Sequence, residues 1–520
     1  MASSNHKKAT NPLSLENLWI SLREAFKREK KRAPLPLREK VLVVLVFLYL
    51  SGLMWAMGST RATPQLIFLG PAVILFLYSL WPRRESAVRW RGIRRLVRFP
   101  VFWAGLVYVG VVFAQTLNPA WFYAEAGLAW RLFPKSEFLS WAPIGVEDAP
   151  FRQGNAWRAL LVLGLAWLPV CALWCGISRR RSLLLLGWLL SLGGLGLSVV
   201  VLFQVLTGPD KLLWMVEVPS VRFLGPFIYS NHGATYFNLL LILQGAMALY
   251  YLHEAKVHLR RSDPSGFFLM LAGVSYFSGL AALSRGGFLT GTVLMVLLVI
   301  AYFWQVFFLH QKQATNRIAA ILVAIFALGV GYFSVTQVNF DRLWERFGER
   351  PEEITLQHLA ADQEARLQTI EETWNIFTDH PWWGIGAGNF RWVHYLYEER
   401  DPSVTVRRRT WDHAHSDTLE YFTENGVLGM LPLIFMVGFW VWLIYGHRRA
   451  TQYPLSFFLG LGCLILLLGY GSIDFPFRSA AILAFWAVLM TLAGLFIERD
   501  RKIRSSLPPN PETEETSPKS

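Results

Sequence analysis

Apolar runs long enough to cross a bilayer recur along almost the whole chain, separated by short charged loops, and this pattern excludes most soluble folds. Backbone N–H and C=O groups in lipid must be satisfied within their own segment, so runs of this length have to be helices. They can be read at 41–57, 65–81, 100–116, 156–177, 183–206, 233–252, from 266 to the SRGG of 284–287, onward from that motif, and at 318–335, 417–445, 454–471 and 479–497. With hydrophobic residues at 53% and 23 tryptophans, the expected fold class is all-α. It is a polytopic integral membrane protein of about twelve transmembrane helices filling 41–497.

The formal net charge of +14 raises nucleic acid as a partner, but the placement of the charge argues against it. Lys and Arg gather in residues 1–40, in RRESAVRWRGIRRLVR at 83–98, in SRRRS at 178–182 and in the tail. Basic residues in short loops and termini mark the cytoplasmic side, so both termini are expected there. Residues 1–40 read as a basic cytoplasmic segment whose stretch at 15–26, LENLWISLREAF, suits the inner leaflet. They do not have the form of a cleavable leader. Residues 498–520 read as a cytoplasmic tail, Pro- and Glu-rich from Leu507 and disordered. Cys171, Cys175 and Cys463 lie inside apolar spans and read as core residues rather than a disulfide or metal framework.

Two outer segments are long. Residues 117–155 are rich in Trp, Tyr and Phe, with NPAWFYAEAGLAWRLF at 118–133, which suits an aromatic shelf at the headgroup level. Residues 336–416, between spans 9 and 10, form a large helical loop: 362–379 is amphipathic, HPWWGIGAGNF at 380–390 is punctuated by glycines, and a second short helix runs toward Arg400.

Polar motifs converge on the outer ends of spans 6, 8 and 10, each at the N-terminus of a helix running inward. Arg222 with Asn231, Ser284 and Arg285 followed by Gly286, and His415 all fall where helix dipoles and free N–H groups favour an anion. Asp417 and Glu420 have the spacing of a capping box, which sets His415 just before the first turn, where an imidazole can act as a base. Simpler readings stand beside these: His415 as a capping histidine, Arg285 as a snorkelling arginine, and Arg407, Arg408 and Arg409 as either a contact for a phosphate-rich acceptor or a solvated cluster. The run DHAHSD offers Asp412, His413, His415 and Asp417 to a metal, but its spacing is permissive and no second His or Cys cluster completes a shell. A transporter or flippase of a lipid-linked anion would use the same arginines; it predicts internal symmetry between halves, and none is evident.

Taken in order, these motifs resemble the O-antigen ligase and polymerase family of bacterial envelope proteins. RFLGPFIYSNHGA at 222–234 is similar to its R-x-x-G…N-x-x-A segment, SRGG to its S-R-G motif, and HPWWGIGAGNF to its H-P-x-x-G-x-G-x-G-x-F. AHSDTLEYFTENGVLG at 414–429 is similar to its H-N-x-x-L-x-x-x-x-E-x-G-x-x-G, and SIDFPFRSA at 472–480 to a segment before the last span of many members. Ser416 stands in place of the usual Asn, and Asn231 is followed by His232 rather than lying in an Asn-Pro-Asn pattern.

The resemblance covers about residues 180–495. It implies a bacterial inner-membrane glycosyltransferase with a periplasmic active site, inverting, metal-independent and without a cofactor. The implied donor is an undecaprenyl-diphosphate-linked oligosaccharide, and the acceptor is a hydroxyl of a glycan, of lipid A core or of another molecule, including a protein Ser or Thr in the O-oligosaccharyltransferase variant. Carried over by position, His415 is the catalytic base and Arg222 and Arg285 hold the diphosphate. Asn231, Ser284, Gly286, Asp417 and Glu424 support them.

Overall fold

The computed structural model describes residues 34–82, 89–126, 129–218, 223–257, 263–307, 356–398, 412–446 and 454–505, with side chains at 126, 129, 307, 356–365 and 500–505 left aside. Nine helices among the described residues are long and apolar enough to cross a membrane. In chain order the helices are α1 (Leu37–Trp55), α2 (Ala62–Leu80), the short α3 (Arg91–Val97), α4 (Pro100–Leu117), α5 (Ala156–Gly176), α6 (Arg180–Thr207) and α7 (Ser230–Val257). They continue with α8 (Ser265–Leu280), α9 (Arg285–Phe307), α10 (Leu356–Asp379), α11 (Phe390–Tyr397), α12 (Asp417–Gly446), α13 (Pro454–Leu464) and α14 (Ala480–Ser505). The first expected span is α1, which opens on three charged residues, and the seventh is the shorter apolar α8. The ninth, 318–335, and the stretch at 15–26 lie outside the described residues. The expected tail begins as helix, since α14 runs to Ser505, and the rest of it lies outside the described residues.

The apolar stretches of α7 and α14 are almost wholly buried among the other helices, as a helical stretch without a polar face must be. Close approach against α6 depends on its glycines. A Cβ at Gly187 would come within 2.8 Å of the Met247 sulfur, and one at Gly194 within 2.7 Å of Leu240. At the basic end, the buried Glu39 carboxylate accepts from Ser178 N, Arg179 N and Ser182 Oγ, and so caps α6. Arg95 and Arg499 both donate to the Ile177 carbonyl, satisfying the C-terminus of α5.

The opposite end departs from all-α. Residues expected as an aromatic shelf form a three-stranded sheet, β1 (Pro119–Ala126), β2 (Ala129–Pro134) and β3 (Gly145–Glu147), in the order β2-β1-β3. Strand alternation explains it: Tyr123 and Leu132, paired across the antiparallel β1–β2 ladder, are buried, while the paired Phe122 and Phe133 face outward. The inner face packs on α11, with Tyr123 and Trp130 edge-on to the fully buried Trp392. Trp392 Nε1 donates to the Gly154 carbonyl, and Gln115 at the end of α4 accepts from Ala387 N. Most of the aromatics in that run are therefore the core of a small outer layer rather than a lipid-facing shelf.

Candidate functional site

The expected cap at the head of α12 is displaced by one residue. Ser416, not Asp417, is the N-cap: its Oγ accepts from Leu419 N at 3.3 Å. Glu420 does not close a reciprocal box on the cap. Its carboxylate reaches back to Ala414 N (2.8 Å) and to His413 Nδ1 (2.9 Å), pinning the strand that enters the helix. Between these anchors His415 has φ +54°, a left-handed backbone that a residue with a Cβ adopts only when its surroundings impose it. Burial lowers the His415 pKa below its ordinary value; the charge of Arg366 adds to this, and Asp474 and Glu420 oppose it. The imidazole is therefore neutral at neutral pH.

Asp417, Glu420 and Glu424 follow at helical spacing and share one buried face. Their counterion is Arg478, in the short 3-10 turn Pro476–Arg478 before α14. Arg478 Nη1 donates to Glu424 Oε2 at 2.8 Å, Nη2 lies 3.0 Å from Glu420 Oε1, and Nε lies 3.5 Å from Asp417 Oδ1. The guanidinium also covers the Tyr421 ring at 4.2 Å. Burial works against its charge, but Glu420 and Glu424 more than offset that and hold its pKa above the ordinary arginine value. The second Asp417 oxygen accepts from Phe477 N at 2.7 Å.

Behind the acidic face, the chain of α12 breaks at Gly426, with φ +62°. The glycine loop at 381–388 docks into the break: Val427 N and Leu428 N donate to Pro381 O and Trp382 O, and Ile385 N and Gly386 N donate to Thr423 O and Glu424 O. A Cβ at Gly384 would fall 2.5 Å from the Glu424 carbonyl, so the glycines of HPWWGIGAGNF serve this close approach.

Asp474 ties the three helix N-termini together. Its Oδ2 accepts from Asn231 Nδ2 of α7 (2.8 Å) and from Tyr470 OH (2.9 Å), and its backbone carbonyl accepts from Asp417 N (3.0 Å). Tyr470 OH in turn lies 3.3 Å from Ser284 Oγ, which caps α9 by accepting from Gly287 N. Next to Asp474, the Phe475 ring is stacked by His413 at 4.7 Å and met edge-on by His415 at 5.2 Å and His232 at 5.6 Å. The outer ends of the sixth, eighth and tenth expected spans are thus one site.

Asn231, Ser284, Asp417 and Glu424 are brought together in this network, and the exposed Arg285 opens α9 beside Ser284. A Cβ at Gly286 would strike the Tyr470 ring at 2.5 Å, so this glycine allows α9 to pack closely on Tyr470. Arg222 and the cluster Arg407, Arg408 and Arg409 lie outside the described residues. Asp474 and Arg478 were missed as site residues, and Glu420 was read only as part of a capping box, although three carboxylates on one helical face signal a buried cation. Three of the four candidate metal donors are turned to separate partners, Asp412 to Arg391, His413 to Glu420 and Asp417 to Arg478. Among the described residues no group of three His, Cys, Asp or Glu is placed to hold a metal ion.

Residues 267–434 match the family model described as O-antigen ligase. The matched stretch takes in Ser284, Arg285, Gly286, His415, Asp417 and Glu424, while Asn231, Asp474 and Arg478 lie beyond it. No curated protein matches the chain. The match bears out the resemblance carried by the motifs, to the O-antigen ligase and polymerase family.

Proposed function

We propose, from membership of the O-antigen ligase family over residues 267–434, that the chain transfers a glycan from an undecaprenyl-diphosphate-linked donor to an acceptor hydroxyl on the periplasmic side of the bacterial inner membrane. The observation that carries this reading is His415: a neutral imidazole at a left-handed turn, placed where three helix N-termini meet. The acceptor oxygen attacks the anomeric carbon as its proton passes to His415, and the bond from that carbon to the diphosphate oxygen breaks with inversion. The electron pair leaves with the lipid diphosphate. Arg285 at the head of α9, with Arg222, neutralises the developing charge, an electrostatic contribution on the order of 3 kcal/mol for one well-aimed donor. The Arg478 cluster holds the acidic face rigid, and Glu420 fixes the residues on the N-terminal side of His415. The leaving group is already activated, so the step requires neither metal nor cofactor.

Purified protein assayed with lipid-linked donor and acceptor tests the reading. His415→Ala is expected to bind donor normally and to transfer about 100- to 10,000-fold more slowly, the worth of a positioned base. Chelator is expected to leave wild-type transfer unchanged. Undiminished transfer in His415→Ala returns that residue to a capping role, and loss on chelation points to a metal. Donor binding with no transfer by the wild type to any acceptor hydroxyl favours a transporter.

A further inference from the structure

We infer that the turn carrying Phe138, Leu139 and Trp141, with Leu117 and Trp382, is a lipid-binding shelf that rests in the headgroup layer and sets the depth of the glycine loop. All five side chains are exposed, Trp141 at 75%, Leu117 at 70% and Trp382 at 64%. None is needed for the packing of the sheet, whose inner face is filled by Tyr123, Trp130 and Leu132. Large apolar residues gathered outside a core mark an interaction surface, and tryptophan favours the boundary between hydrocarbon and water.

The occupant is set by continuity. Leu117 ends α4, a membrane-crossing helix whose Trp103, Val107 and Phe113 are also exposed. The next residue, Asn118, clasps the turn to that helix end: its side chain donates to the Leu139 and Pro143 carbonyls and accepts from Leu139 N. The apolar turn is therefore held at the level where α4 leaves the hydrocarbon. Lys135 at its margin is paired with Glu147 at 2.6 Å, which reduces the charge that would resist burial.

The shelf is also joined to the site. Trp383 Nε1 donates to the Trp141 carbonyl, and the Trp382 carbonyl accepts from Leu428 N in the break of α12, next to Glu424. A layer that fixes the height of Trp382 fixes the height of the acidic face relative to lipid. This inference does not depend on the reaction proposed above.

Cysteine labelling tests it in the full chain, because Cys171, Cys175 and Cys463 are buried. Trp141→Cys and, separately, Leu139→Cys are labelled with a fluorophore in nanodiscs, with the exposed Glu371→Cys on α10 as the reference. Both shelf positions are expected to be quenched several-fold more by lipids carrying a headgroup-level doxyl group than the reference, and less by aqueous iodide. Iodide quenching equal to the reference with no effect of doxyl lipid overturns the shelf. Protection from both quenchers overturns it too, by assigning the surface to a protein contact.

Discussion

Replacing Arg478 by Gln removes the positive charge that faces Asp417, Glu420 and Glu424 at 3.5, 3.0 and 2.8 Å. Those carboxylate side chains are 3%, 1% and 2% exposed, so water cannot take the place of the guanidinium. Breaking a buried ion cluster by removing one partner costs about 3–5 kcal/mol, because the remaining charges stay desolvated. By contrast, the exposed pair Lys211–Glu217 is worth less than about 1 kcal/mol, so Lys211→Ala is the control. At about 2 °C per kcal/mol, Arg478→Gln should lower the unfolding temperature by about 6–10 °C. A thiol-reactive dye provides the readout, since all three cysteines are buried until the bundle opens. Arg478→Lys should fall between the two, keeping the charge without a fork that spans three partners. Combining Glu424→Gln with Arg478→Gln should recover about 0.5–3 kcal/mol relative to the sum of the single losses. A shift below about 2 °C for Arg478→Gln, or strict additivity in the double variant, would refute the cluster as the element that holds this face.

Gly426→Ala should destabilise by at least about 1–3 kcal/mol, since its left-handed backbone disfavours a side chain and a Cβ would sit 2.4 Å from the Trp382 carbonyl; unchanged thermal stability would show that the loop is not docked there. If His415 is the base, kcat/KM should rise with pH through a midpoint below the ordinary histidine value, because the base works deprotonated and burial lowers its pKa. The same shift makes the folded state bind fewer protons than the unfolded one, so this residue's contribution to stability is lost as pH falls through that range; a kinetic midpoint above the ordinary histidine value argues for another base. A reporter fused after Arg261 should read cytoplasmic and one within 350–360 periplasmic, and the reverse pair of signals would turn the whole site around.

The helical bundle was legible because its signal is local: each apolar run carries its own evidence, and alternation of direction along the chain places Asn231, Ser284 and His415 at one end. What failed were features decided by distant partners. Arg478 lies far along the chain from Glu424, and only the fold shows that the pair meets. The sheet escaped because Trp121 to Phe133 reads as an aromatic interface until Trp392 is seen filling its inner face. The cap was misplaced by one residue because Ser416 and Asp417 are both good caps, and the demand of Phe477 N for an acceptor draws Asp417 away.

The break at Gly426 also separates two helical phases. Beyond it, residues 427–446 form a run of about 20 residues, about 30 Å at the rise of an α-helix, which is the thickness of the hydrocarbon layer. One residue inserted within that run would rotate everything after it by about 100° and misalign the bundle. An insertion in the acidic head, 417–425, would instead turn Asp417 and Glu420 by about 100° away from the face that meets Arg478, without changing the phase within 427–446. The head is thus held in register by its ion cluster and the crossing part by the thickness of the hydrocarbon layer, two separate constraints that meet at the glycine.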